Sequence, residues 1–276
     1  MTKKTPVEPY DHVYLSPHYD DAALSCGGAI HQQRQAGQAV LVVTICSAPP
    51  ALGEVFSPFA REIHGAMGNP DNLVAMRRDE DRAAVDRLGA EVVWLDFQDA
   101  VYRGRAGEEG WYYTSMAEVF GSIHPDDGAL SEAIAAAVCE EVPVGSQTTL
   151  YAPLMVGGHV DHQHAHRAAW RLREQGWRVV FYEDYPYADP AYCLPFGVEN
   201  AATLDLTLAS LQAAGLTPRL VRLAEDDVQA KIDSVRAYRS QVPMLFGDEA
   251  AMATRLRAYA MHYDDHTPAE RYWMAG

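Results

Sequence analysis

QAVLVVTICSA, residues 38–48, is a run of β-branched and apolar side chains without polar alternation. A strand wetted on one face alternates, whereas a strand covered on both faces does not. The stretch therefore predicts a strand inside a parallel sheet with helices on both sides. Upstream, HVYLSP (12–17) reads as another buried strand. Between the two lies DDAALSCGGAIHQQRQAG, with Ala23, Leu24, Gly27 and Ile30 at helical spacing and Gly37 as the stop. Strand, helix, strand is the repeating unit of a layered α/β fold.

The pattern continues. EVVWLDF (91–97), TTLYAPL (148–154) and WRVVFYED (177–184) predict three more strands. AMRRDEDRAAVDRLGA (75–90), GALSEAIAAAVCEEV (128–142) and HVDHQHAHRAAWRLREQG (159–176) predict helices. After Pro186 the signal weakens: TPRLVRLA reads as a further strand and DDVQAKIDSVRAYRSQ as a helix. With no repeat, linker or low-complexity segment, the expectation is one domain over 1–276, Rossmann-like, with α/β/α layers and a mainly parallel sheet. Residues 49–74 and 98–127 interrupt it as loop insertions, longer than plain connectors and so suited to substrate binding.

Composition narrows the function. Hydrophobic residues make up 48% and charged residues 22% of the 276, as in ordinary globular proteins. A formal charge of −16 speaks against nucleic acid or an anionic membrane as partner, since each requires a basic face. No run of about 18 apolar residues is present to span a bilayer. MTKKTPVEPYDH lacks the apolar core of a signal peptide. Cys26, Cys46, Cys139 and Cys193 form no CxxC pair, and three stand in apolar strand or helix contexts that suggest buried thiols. Together these features suggest a cytoplasmic protein. A homo-oligomer is compatible with them.

Two stretches share the pattern HxDD: PHYDDAAL (17–24) and IHPDDGAL (123–130). In open α/β sheets, ligands bind beyond the carboxyl ends of strands. His18 follows the strand HVYLSP, and Asp20 and Asp21 open the next helix, so all three belong at that edge. His124 has no strand before it, and Asp126 or Asp127 is placed to cap the helix beginning near Gly128. Downstream, YAPLMVGGHVDHQHAH sets His159 and His162 just past another strand. Histidines three and four apart share a helix face, so His159, His162 and His166 could converge. His162 is followed by Gln163 rather than Glu, which rules out the HExxH zinc signature. Two histidines and a carboxylate, drawn from both segments, leave a metal one open position for water, the pattern of catalytic zinc. His164 reads as a surface residue and His166 as packed or solvated.

These residues resemble the PIG-L-like (LmbE-like) family of zinc-dependent N-acetylglucosamine deacetylases. Pro17-His18-Tyr19-Asp20-Asp21-Ala22 stands where the family has (P/A)HPDDE, and His159-Val160-Asp161-His162 where it has HxDH. Arg77, Glu80, Ala84, Leu88 and Gly89 match an intervening R-x-x-E-x-x-x-A-x-x-x-LG, and Leu95, Phe97 and Asp99 match L-x-F-x-D. KIDSVRAYRSQ (231–241) also looks like a family segment. The resemblance implies a metal held by His18, Asp21 and His162, with Asp20 as general base. It implies that His159 assists the oxyanion or the leaving amine and that Asp161 orients a histidine. It further implies removal of acetyl from an N-acetylated sugar or sugar conjugate, a small-molecule partner. Two positions depart from the motif: Tyr19 replaces Pro and adds bulk near the site, and Ala22 replaces Glu and removes a supporting hydrogen bond.

The chemistry suits amide hydrolysis, which needs an activated water, a polarised carbonyl and a protonated leaving amine. A nitrogen and oxygen ligand set without thiolate accepts Zn2+ or another divalent metal such as Fe2+. Arg77 is either a holder of a sugar hydroxyl or phosphate or a surface residue of a charged helix. Asp99 is a candidate acceptor for a sugar hydroxyl. Trp111, Tyr112 and Tyr113 either wall the substrate or pack their loop, the wall being favoured. EDYPYAD (183–189) either forms another wall through Tyr185 or Tyr187 or simply packs, and no chemistry is assigned to it. Two alternatives stay open: a sugar- or nucleotide-binding protein without catalysis on the same scaffold, and an amidase for a non-sugar conjugate.

Overall fold

The computed structural model describes residues 9–50, 56–68, 70–104, 110–192, 209, 211–212, 215–264 and 266–275. The reading of the first twelve residues as lacking a signal sequence falls mostly outside this set, as does Cys193.

The strands are β1 (Tyr10–Ser16), β2 (Val40–Thr44), β3 (Glu91–Trp94), β4 (Val144–Pro153), β5 (Arg178–Tyr182), β6 (Leu216–Arg222) and β7 (Ala269–Ala275). They form one sheet in the order β3-β2-β1-β4-β5-β7-β6. β1 to β5 run parallel, with Leu15 opposite Val43 and Val13 opposite Leu150. β7 runs antiparallel to both β5 and β6. Every residue of β2 is buried, as its unbroken apolar sequence requires.

Helices cover both faces of the sheet. α1 (Asp21–Gln35), α3 (Leu73–Arg87) and α9 (Glu249–Ala260) pack on α7 (Glu225–Val235), while α5 (Leu130–Glu141) packs on α6 (Val160–Glu174). The helix expected over 226–241 ends early because the chain turns aside to bond α3. Tyr238 Oη donates to Asp81 at 2.9 Å, and Ser240 Oγ donates to Glu80 at 2.6 Å. A short helix, α8 (Val242–Phe246), follows. No helix among the described residues is long and apolar enough to cross a membrane.

The two insertions are less irregular than their sequences suggest. The first contains α2 (Pro58–Ala66), with Ser57 as its cap, and the second contains α4 (Met116–Val119) between short 3-10 turns. Phe59, Tyr102, Tyr113, Val119 and Val160 build a satellite core that joins both insertions to the start of α6. Phe59 and Ala60 of the first insertion are thus buried with Ala100, Val101, Tyr102, Tyr113 and Val119 of the second.

Among the cysteines, Cys26 and Cys46 are buried as expected, but Cys139 is exposed. It lies on the outer side of α5, whose inner side carries Ile134, Ala135 and Val138.

Candidate active site

β2 follows β1 to one side of the sheet and β5 follows β4 to the other, so the order reverses between β1 and β4. A crevice opens at such a switch point. β1 delivers His18, Asp20 and Asp21 to it, and β4 delivers His159, Asp161 and His162. The β4 exit is a tight turn with positive φ at Met155 (64°), Gly157 (83°) and Gly158 (78°). A Cβ on Gly157 would lie 3.0 Å from Tyr187, so the turn fits beneath that ring only without a side chain.

Ligand atoms of His18, Asp21 and His162 lie within 4.8 Å of one another, as do those of an overlapping set, His18, His159 and Asp161. Hydrogen-bond accounting separates the two. Asp161 has spent both oxygens: Oδ2 accepts from Ala100 N and pairs with His18 Nε2, each at 3.0 Å, and Oδ1 accepts from Arg103. His159 Nδ1 accepts from Asp161 N at 3.2 Å, capping α6. In the first set, His162 Nδ1 is engaged by Asp184 Oδ1 at 2.6 Å, so Nε2 is the nitrogen turned to the site, where a cation would take the place of its proton. That Nε2 is buried, has no hydrogen-bond partner, and stands 3.3 Å from Asp21 Oδ2. His18 Nδ1 stands 3.2 Å from the same oxygen. Two imidazoles and a carboxylate converging on one point, with an orphaned nitrogen among them, fit a divalent cation.

The electrostatics follow from burial and pairing. Burial alone would raise Asp21, but His162 and His18 hold it well below the usual carboxylate range. Burial lowers His162, yet Asp21 and Asp184 outweigh it and bring the imidazole up to about 9. Burial raises Asp20 despite Arg77, whose guanidinium donates to Asp20 Oδ1 at 3.1 Å. Burial and the neighbouring His18 hold His159 well below its ordinary value, so its ring is neutral. With Nδ1 accepting from backbone, the proton of that neutral ring sits on Nε2. His159, Asp20, Arg77 and Asp99 all line one cavity together with His18 and Asp21.

A family model described as GlcNAc-PI de-N-acetylase, PIG-L, matches residues 13–172. The chain belongs to the PIG-L family. It is 34% identical over 230 residues to a 2'-N-acetylparomamine deacetylase of Streptomyces fradiae, covering 82% of this chain and 72% of that one. A 2'-N-acetylparomamine deacetylase of Niallia circulans is 30% identical over 186 residues, covering 63% of this chain and 66% of that one, just under two thirds of its length. A solved structure of teicoplanin deacetylase in a zinc-inhibited form superposes with a TM-score of 0.73 at 26% identity, covering 95% of this chain and 96% of that one.

Several sequence readings of this PIG-L member need correction. Asp126 and Asp127 do not cap α5: its cap position is Ala129, with no side-chain bond. Instead His124 caps a 3-10 turn over Pro125–Asp127, and Asp127 Oδ2 gathers Arg103 Nε (2.9 Å), Tyr113 Oη (2.8 Å) and His164 Nε2 (3.1 Å). His164 is therefore no surface residue; it is fully buried, with Ser131 Oγ 2.9 Å from its Nδ1. It sits where α6 packs on α5, and a polar side chain survives there because both ring nitrogens are engaged. His166 is packed, as expected, against Pro153 O and Trp170.

Arg77 is buried rather than on the surface of its helix, because it compensates Asp20. Tyr19 turns away from the cavity, donating to Ser47 O at 3.1 Å with its ring beneath Arg77, so its bulk goes to the core. Ala22 is buried, its N–H bonded to Ser16 Oγ at 3.0 Å. Trp111, Tyr112 and Tyr113 do not line the cavity: Trp111 bridges to Gly104, Tyr112 stacks on His124, and Tyr113 holds Asp127. Tyr187 does line it, while Tyr185 is buried.

Two residues that hold side chains of the candidate site escaped the sequence reading. Asp184 stands just past β5 at the same sheet edge, a position that could have marked it. Arg103 gave no signal, because its partners Asp127 and Asp161 are distant in sequence.

Proposed function

We propose that the protein is a metal-dependent N-deacetylase acting on an N-acetylglucosamine-type sugar or its conjugate, with zinc or another divalent ion such as iron(II), and that it works in the cytoplasm. The observation that carries this reading is the buried Nε2 of His162, without a hydrogen-bond partner, facing Asp21 and His18. The curated relatives, deacetylases of acetylated sugar conjugates, support it.

In this reading His18, Asp21 and His162 hold the ion. When bound, the ion polarises the acetamide carbonyl and makes water a stronger acid. Asp20 takes the proton of the attacking water and passes it to the departing amine nitrogen, so acetate and a free amino sugar result. Burial makes Asp20 a stronger base, and Arg77 fixes its orientation. His159 donates its Nε2 proton to the oxygen that gains charge as the carbonyl becomes tetrahedral. Asp161 aims His18, Asp184 aims His162, and Asp99, 3.7 Å from His18 Nε2, accepts from a sugar hydroxyl.

Acetate release from N-acetylglucosaminides by metal-loaded protein tests the activity. Asp20→Asn should lower kcat by about 10²–10⁴-fold while metal content stays at the wild-type level. Full activity in that variant would remove Asp20 from the base role. A wild type that takes up no metal and releases no acetate would remove the enzyme reading.

A further inference from the structure

Above its charged floor the cavity changes character. Ile63 on α2, Met116, Val119 and Phe120 on and after α4, and Met244 and Leu245 on α8 form an apolar collar. Three segments distant in sequence converge to make it, and the satellite core holds two of them together. Met244 is 41% exposed, and among the described residues only Leu220, at 38%, is another large hydrophobic left so open. Leu220 lies on β6, away from this cavity. Contiguous apolar side chains lining a reaction cavity form a surface that a ligand covers.

The cavity's charges all lie at the floor. Asp20 is paired with Arg77, Asp21 faces His18 and His162, and Asp99 faces His18. The described collar residues carry none, although the whole chain has a formal charge of −16. An amine-rich aglycone would press ammonium groups against these six apolar side chains, with only the neutral Gln241, Tyr187 and Tyr192 beside them in the lining, at a desolvation cost. An alkyl or aryl group would instead leave water there.

We propose that the sugar this cavity accepts carries a neutral, apolar aglycone, seated in the collar formed by Ile63, Met116, Val119, Phe120, Met244 and Leu245. This rests on the deacetylase reading and specifies its substrate class.

Three probes test it with the metal-loaded enzyme: methyl and hexyl N-acetylglucosaminide, and an N-acetylated aminoglycoside with free amines. The hexyl glycoside should exceed the methyl one in kcat/KM by roughly tenfold or more, mostly through KM. Met244→Gln should narrow that ratio, and Leu220→Gln should leave it intact. Equal values for hexyl and methyl, or the aminoglycoside as the best substrate, would overturn the collar assignment while leaving the deacetylase reading in place. If no probe releases acetate, the deacetylase reading falls, and equilibrium binding judges the collar by itself. A hexyl Kd at least about tenfold below the methyl Kd, lost in Met244→Gln, supports an apolar ligand there; equal Kd values overturn it.

Discussion

Residues 18–21 and 124–127 spell the same HxDD pattern and end in opposite roles. The first follows β1, so His18, Asp20 and Asp21 project past a strand end into a cavity. The second follows no strand and lies in the satellite region of the second insertion. His124 caps its turn and stacks on Tyr112, and Asp127 is saturated by Arg103, Tyr113 and His164. At the first stretch, Asp21 faces two imidazole nitrogens, one of which has no hydrogen-bond partner. What separates a metal site from a brace is which lone pairs are left unspent. The two are also joined. Arg103 bridges Asp127 to Asp161, and Asp161 holds His18. The second stretch therefore buttresses the first.

The largest effect that would break this comparison comes from the two histidines. His162→Ala should abolish metal uptake and deacetylation, whereas His124→Ala should retain about one metal ion per chain by elemental analysis. Metal loss from His124→Ala alone would reverse the assignment.

Arg103→Met probes the link between the stretches. It leaves Asp127 and Asp161 buried without their cation, and removing one partner of a buried pair costs about 3–5 kcal/mol, read as a lower urea midpoint. Metal affinity should fall as well, because His18 loses its fixed orientation. A variant as stable as wild type with unchanged affinity would sever the two regions.

Asp184→Asn tests a support on the other side of the site. Metal affinity should fall roughly 10–100-fold, measured by chelator competition, with smaller change in stability.

The smallest effect is the pH dependence of Asp127. Burial would raise this carboxyl, but the His164 hydrogen bond, Arg103 and Tyr113 together lower it below its ordinary value. The unfolded chain then takes up the proton first, so the stabilisation is present above about pH 4 and is lost as pH falls through the folded value. The difference in urea midpoint between wild type and Asp127→Asn should be full near pH 6 and shrink below pH 4. A difference that grows on acidification would contradict the sign.

The sequence by itself carried the parallel sheet, because β2 is apolar along its whole length and a strand buried on both faces must be. It carried His18, Asp20, Asp21, His159, Asp161 and His162 as neighbours, because strand ends at a switch point converge. Periodicity could not find β7, whose antiparallel placement between β5 and β6 depends on chain return rather than local pattern. It could not see that Asp184 meets His162, 22 residues away, or that Arg103 meets Asp161, 58 away. It misread His164 and Asp127 as surface and cap, since polar residues carry no local sign of burial. Only the tertiary structure decided which lone pairs each neighbour consumes, and with them which of two identical patterns is left to bind.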